Sequence, residues 1–138
     1  MCGIFGISKA NLSYNDYDNV IKDIEIYVNS SEKRGSDTFG ISFKIKDEII
    51  LYKSNEKPSA SIKKKDYKKF LNNFLREKID KNLIMIGQTR LVTNGSKFSY
   101  NNNQPLETKN IVGVHNGIFT NLDEVYSEKT KNYESYNI

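Results

Sequence analysis

The chain has 138 residues, a single cysteine, a single histidine and a formal net charge of +4. That length fits one domain with room for a core; the lone cysteine excludes an internal disulfide, and with only one histidine beside it a structural zinc site of the Cys/His type is excluded too. No apolar run approaches the roughly 20 residues of a membrane helix, the N-terminus lacks the charged and apolar regions of a secretory signal, and acidic residues are interspersed with most of the lysines, so the expectation is a soluble, cytoplasmic protein with neither membrane nor nucleic acid as partner.

In chain order, "CGIFGIS" (2–8) is a short apolar run with β-branched and aromatic residues and predicts a buried strand. "NLSYND" (11–16) is a polar break. Tyr17, Val20, Ile21, Ile24, Tyr27 and Val28 then recur at helical spacing, which predicts an amphipathic helix ended by the turn formers of "NSSEKRGSD" (29–37). "FGISFKI" (39–45) and "EIILYK" (48–53), joined by "KD", read as a β-hairpin. "EKPSAS" (56–61) reads as a loop. Tyr67, Phe70, Leu71, Phe74 and Leu75 mark a second amphipathic helix, with Lys63, Lys64, Lys65, Lys68 and Lys69 largely on its wet side. "NLIMIGQTRL" (82–91) predicts a third strand region, "TNGSKFSYNNNQP" (93–105) a long polar loop, and "NIVGVHNG" (110–117) a fourth strand region running into a turn. "NLDEVYSE" (121–128) reads as the opening of a short helix. Strands and helices in this order suggest a layered α/β or α+β domain.

Three places combine residue types that acyl-transfer chemistry uses. Cys2 stands directly behind Met1, and a start methionine before a small residue is commonly trimmed. Trimming leaves a thiol and a free α-amine on one residue; the amine titrates near about 7.7–8.0 and can accept the thiol proton. Gly3 and Gly6 interrupt the strand that follows, as happens where a backbone or a ligand must come close. Asn116 and Gly117, ending an apolar strand, offer a side-chain amide and a backbone N–H to a developing oxyanion, although "NG" is also an ordinary hairpin turn. Arg90, at the end of another strand, can hold a carboxylate with two parallel bonds, with Thr93 and Asn94 on the loop beside it. Arg34, Gly35 and Asp37 form a further turn suited to bracing. His115 admits two readings, a partner for Cys2 in a thiol–imidazole dyad or a neutral, packed strand residue.

Taken in order, "MCGIFG", "RGSDTFG", "GQTRLVTNG", "NNQPL" and "VHNGIFTN" resemble the class II glutamine amidotransferases, the N-terminal nucleophile hydrolase glutaminase domain found in glucosamine-6-phosphate synthase, asparagine synthetase and amidophosphoribosyltransferase. The resemblance spans roughly positions 2 to 125. It implies an α+β fold, the αββα sandwich of those hydrolases, and an enzyme that releases ammonia from L-glutamine through a thioester. Residue by residue, it implies Cys2 as nucleophile, with its own α-amine as base. Arg90 becomes the clamp for the glutamine α-carboxylate, and Thr93 and Asn94 line that pocket. Asn116 and Gly117 become the oxyanion hole, with Gly117 also near the substrate amine. Arg34, Gly35 and Asp37 form the supporting turn behind the nucleophile. No metal and no cofactor is implied. Many relatives carry "GHTR" where this chain has "GQTR", a swap at Gln88 expected to matter little. Ile118, after "HNG", and Leu91, after the clamp arginine, fit no one subfamily.

The family's amine-binding aspartate lies some two dozen residues beyond "HNG", about where this sequence stops, and Glu124 and Glu134 lack its context. The expectation is therefore the N-terminal portion of the domain, 1–138, incomplete at its C-terminus. Ammonia made here would pass to a synthetase or transferase subunit or a missing domain. The alternative is an inactive remnant, or a fragment of a split amidotransferase, kept as an interaction module.

Overall fold

The computed structural model describes residues 1–76, 81–93, 95–109 and 111–117. The expected helix at 121–128 lies outside the described residues, as do Asn94, Ile118, Glu124 and Glu134.

Alternation of large apolar and smaller residues makes β2 (Thr38–Ile45) and β3 (Glu48–Ser54) an antiparallel hairpin. Its two-residue turn is Lys46–Asp47, with Lys46 in the left-handed region at φ 55°, as short hairpin turns demand. β1 (Gly3–Leu12) and β4 (Lys81–Arg90) complete a four-stranded sheet in the order β1–β4–β2–β3, antiparallel throughout. β4 is thus central although it comes last of the four in the chain.

Register divides the sheet into two faces. Phe39, Ile41, Phe43 and Ile45 stand opposite Thr89, Gly87, Met85 and Leu83. This row faces the helices, since the Thr89 hydroxyl donates to the Ser31 carbonyl at 2.7 Å. α1 (Tyr17–Glu32) buries Tyr17, Val20, Ile24 and Val28 against it, and α3 (Lys65–Leu71), extended by a π-turn over Asn72–Arg76, adds Tyr67, Leu71, Phe74 and Leu75. Tyr67 packs edge-on to Phe39, with ring centroids 5.7 Å apart. The other face carries Ile4, Gln88, Arg90, Gly40 and Ile84. Ile4 is 47% and Ile84 50% exposed, while the segment after residue 95 covers the Gln88–Arg90 end.

Four local expectations change. The polar stretch after residue 10 does not end β1: a bulge with Asn11 at φ 53° carries the strand on to Leu12, which pairs with Lys81 and is buried. "EKPSAS" is not wholly loop, because Pro58–Ser61 forms a turn of helix, α2, with Pro58 at its start. Its cap comes from a distant residue: the Ser59 N–H donates to Glu32 Oε2 at 2.6 Å, and Lys57 pairs with the same carboxylate at 3.1 Å. "NIVGVHNG" supplies only Val112–Gly113 to a strand, β6, paired with β5 (Leu106–Glu107) in a separate two-stranded ladder. In the first helix, Tyr27 lies off the buried stripe at 39% exposure, and the helix runs on through Ser30, Ser31 and Glu32.

Candidate active site

Cys2 precedes Gly3, the first residue of β1, and Gly3 stands opposite Thr89 of β4. Pairing of β1 with the central strand therefore brings the N-terminus beside Arg90, the last residue of β4. Met1 is 75% exposed and Cys2 is partly exposed. Gly3 has a packing reason of its own. A methyl there would lie 2.7 Å from Ser31 and from the Thr89 hydroxyl, so of the two causes its sequence position suggests, a backbone or a ligand, the structure shows the close approach of the end of α1.

Asn116 lies against Cys2. The Cys2 N–H donates to Asn116 Oδ1 at 3.1 Å, and Asn116 Nδ2 donates to the Cys2 carbonyl at 3.1 Å. Arg34 Nε donates to the same carbonyl at 3.2 Å, and its Nη2 approaches the Met1 sulfur at 3.8 Å. Gly117 follows Asn116, with the His115 ring packed where a side chain at 117 would stand. Asn116 Nδ2 carries two hydrogens, so one donor can serve the Cys2 carbonyl while the other serves a ligand.

Arg90 is 6% exposed and its Nη1 donates to Asn103 Oδ1 at 3.1 Å. Burial pushes its guanidinium pKa down, while the Asp37 carboxylate acts in the opposite sense. Asp37 grips the chain on both sides of Leu91: its N–H donates to the Arg90 carbonyl at 2.9 Å, and its Oδ2 accepts the Val92 N–H at 2.8 Å. Gly35 packs flat on the same place, since a methyl there would lie 2.4 Å from the Thr89 carbonyl oxygen. The turn of Arg34, Gly35 and Asp37 therefore anchors both Cys2 and the end of β4.

Of the residues singled out from sequence, Cys2, Arg34, Arg90, Asp37, Gly35, Asn116 and Gly117 gather at one end of the sheet. Thr93 is exposed at the bend beyond β4, and Asn94 lies outside the described residues. Among the described residues no group of three or more His, Cys, Asp or Glu side chains converges as metal ligands do, and no helix is long and apolar enough to cross a membrane.

Sequence reasoning assigned no role to two glutamines, Gln104 and Gln88, the latter noted only as a swap expected to matter little. Gln88 is 1% exposed on the face opposite the helices, and its Nε2 donates to Gln104 Oε1 at 2.9 Å and to the His115 carbonyl at 2.6 Å. Gln104 Oε1 also accepts the His115 N–H. The available signal was a pair of polar residues, Gln88 and Arg90, on alternate positions of an otherwise apolar strand. Gln104 itself precedes Pro105 across a cis peptide bond.

Fold and site define a mixed α+β domain whose antiparallel sheet carries helices on one face and a polar cluster around Cys2 at one end. Compared with known proteins, the chain matches no family model, no curated protein and no solved structure.

Proposed function

We propose that the chain is a glutaminase-type amide hydrolase of the class II amidotransferase kind, with an αββα sandwich of which the described sheet and helices form the first part. The observation that carries this reading is the pairing of Cys2 with Asn116 across 114 positions of sequence. A thiol, an amide donor and a buried guanidinium converge there from three segments of chain that nothing local would bring together.

In this reading Met1 is removed and the Cys2 nitrogen becomes an α-amine. The amine takes the thiol proton, and Sγ attacks the side-chain carbonyl carbon of L-glutamine. The oxyanion is held by an Asn116 Nδ2–H and the Gly117 N–H. The ammonium group donates its proton to the departing nitrogen as the C–N bond breaks, leaving a thioester and ammonia. Water then attacks the thioester, aided by the same amine, and releases glutamate and the thiol. Arg90 receives the α-carboxylate, which joins or displaces Asn103 on the guanidinium. Thr93 and Asn94 border the pocket. Arg34, Gly35 and Asp37 act from behind, holding the Cys2 carbonyl and the end of β4. The ammonia passes to an acceptor on a synthetase or transferase partner.

The test is production of glutamate and ammonia from L-glutamine by the purified chain, alone and with candidate partner subunits, against a Cys2→Ala control. Turnover lost in the control supports the reading. Turnover that survives Cys2→Ala, or none under any of these conditions, overturns it.

A further inference from the structure

The pair Cys2–Asn116 needs something to hold its two halves at a fixed separation, and the sheet supplies one half only. Cys2 is fixed through β1, where Ile4 stands opposite Gln88. Asn116 belongs to a segment outside that sheet. The residue before it, His115, is gripped at both ends of its main chain: the N–H by Gln104 Oε1 and the carbonyl by Gln88 Nε2. The two glutamines are themselves joined, Gln88 Nε2 to Gln104 Oε1 at 2.9 Å. Both hydrogens of Gln88 Nε2 and both lone pairs of Gln104 Oε1 are thereby committed.

The orientation of the Gln88 amide follows from this arrangement. Turned over, its oxygen would face two other oxygens. As it stands, its own Oε1 is buried with no hydrogen-bond partner among the described residues, an arrangement that costs stability and that the two donated bonds offset. Gly40, opposite Gln88 on β2, completes the seat: a methyl there would lie 1.9 Å from the Gln104 carbonyl oxygen. Only glycine lets the Gln104 backbone rest on the sheet at that level.

We propose that Gln88 is a positioning residue, which with Gln104 clamps the His115 peptide to the central strand and so fixes Asn116 opposite Cys2. The catalytic part of this inference rests on the amide-hydrolase reading; the clamp itself does not. Nearly isosteric substitutions separate hydrogen bonding from packing. Gln88→Glu replaces the donating nitrogen with an oxygen facing two oxygens. Gln104→Glu keeps the acceptor, whereas Gln104→Met removes it. Misplacing one half of an oxyanion hole costs about 10²-fold in rate.

The experiment measures glutaminase kcat and KM, together with hydrogen exchange at the His115 amide, in the full chain. The expected result is a kcat about 100-fold lower in Gln88→Glu with KM changed less than about threefold. Gln104→Glu is expected to retain at least about ten times the kcat of Gln104→Met. His115 exchange should be slow in the wild-type chain and fast in Gln88→Glu and Gln104→Met. Should Gln88→Glu fail to fold, Gln88→Met, which also lacks the donor, is read in the same way. Wild-type exchange at His115 in the Gln88 variant overturns the clamp, and a loss confined to KM overturns its catalytic part. If the wild-type chain has no glutaminase activity, the amide-hydrolase reading falls, and the exchange result alone decides the clamp.

Discussion

The side chain of Asn116 brackets the backbone of Cys2, accepting its N–H and donating to its carbonyl, each at 3.1 Å. The two contacts fix the nitrogen that becomes the α-amine once Met1 is removed. Both contacts are to the main chain of Cys2, not to its thiol. One amide therefore has two tasks in the proposed chemistry, holding the nucleophile's main chain and stabilising the oxyanion.

Asn116→Leu keeps the size of the side chain and removes both contacts. Glutaminase kcat is expected to fall by about 10²–10³, since loss of an oxyanion donor and loosening of Cys2 act together. The fold should persist, because Asn116 is exposed. Steady-state kinetics beside a circular-dichroism melt separates the two effects; a variant with wild-type kcat removes Asn116 from the mechanism.

Gly35 is packed so closely on β4 that an added methyl would lie 2.4 Å from the Thr89 carbonyl oxygen and 2.6 Å from the Arg90 carbonyl carbon. Both are backbone atoms and cannot swing aside. Gly35→Ala is expected to cost about 1–3 kcal/mol. The cost should be read as a lower urea midpoint at an unchanged denaturant slope. The displaced end of β4 carries Arg90, so KM for glutamine should rise as well.

Glu32 joins the end of α1 to the start of α2. Desolvation pushes its pKa up, but the hydrogen bonds from Ser59 and the Lys57 ammonium outweigh it, and the carboxyl is held below its ordinary 4.5. A carboxyl whose pKa is depressed on folding adds stability that is complete above its unfolded value and is lost as pH falls through the folded one. Glu32→Gln keeps an acceptor for the Ser59 N–H and loses the charge facing Lys57. At pH 7 it should be less stable than the wild type by about 0.5–1.5 kcal/mol. Urea titrations from pH 7 downward should show that gap closing as Glu32 protonates. A gap constant with pH would mean that the carboxylate charge contributes nothing.

Much of the fold was legible because hydrophobic periodicity is a local property. The hairpin around Lys46–Asp47, the buried stripe of α1 and the apolar face of α3 all follow from spacing. What was not legible depends on contacts made at a distance. Helix α2 has Pro58 at its start, but the carboxylate that accepts its Ser59 N–H comes from Glu32, far from it in sequence. β1 continues past residue 10 because Lys81 offers Leu12 a partner. In the site, Cys2, Arg90 and Asn116 stood out by residue type and position, and the structure brings them to one place. Gln88 drew notice only as a swap within the "GHTR" motif expected to matter little; its contacts emerge only when Gln104 and His115 close around it. Gly3 was conspicuous as a place of close approach, and what approaches is the backbone of α1 at Ser31.

The central claim is that Cys2 becomes an N-terminal nucleophile for glutamine. The most direct measurement is the mass of the N-terminal peptide after treatment with a glutamine analogue carrying an electrophilic carbon, with and without excess L-glutamine. The expected result is a peptide beginning at Cys2, carrying one adduct on that residue, with labelling suppressed by L-glutamine. A peptide that retains Met1 and carries no adduct, or labelling that L-glutamine does not slow, would contradict the account.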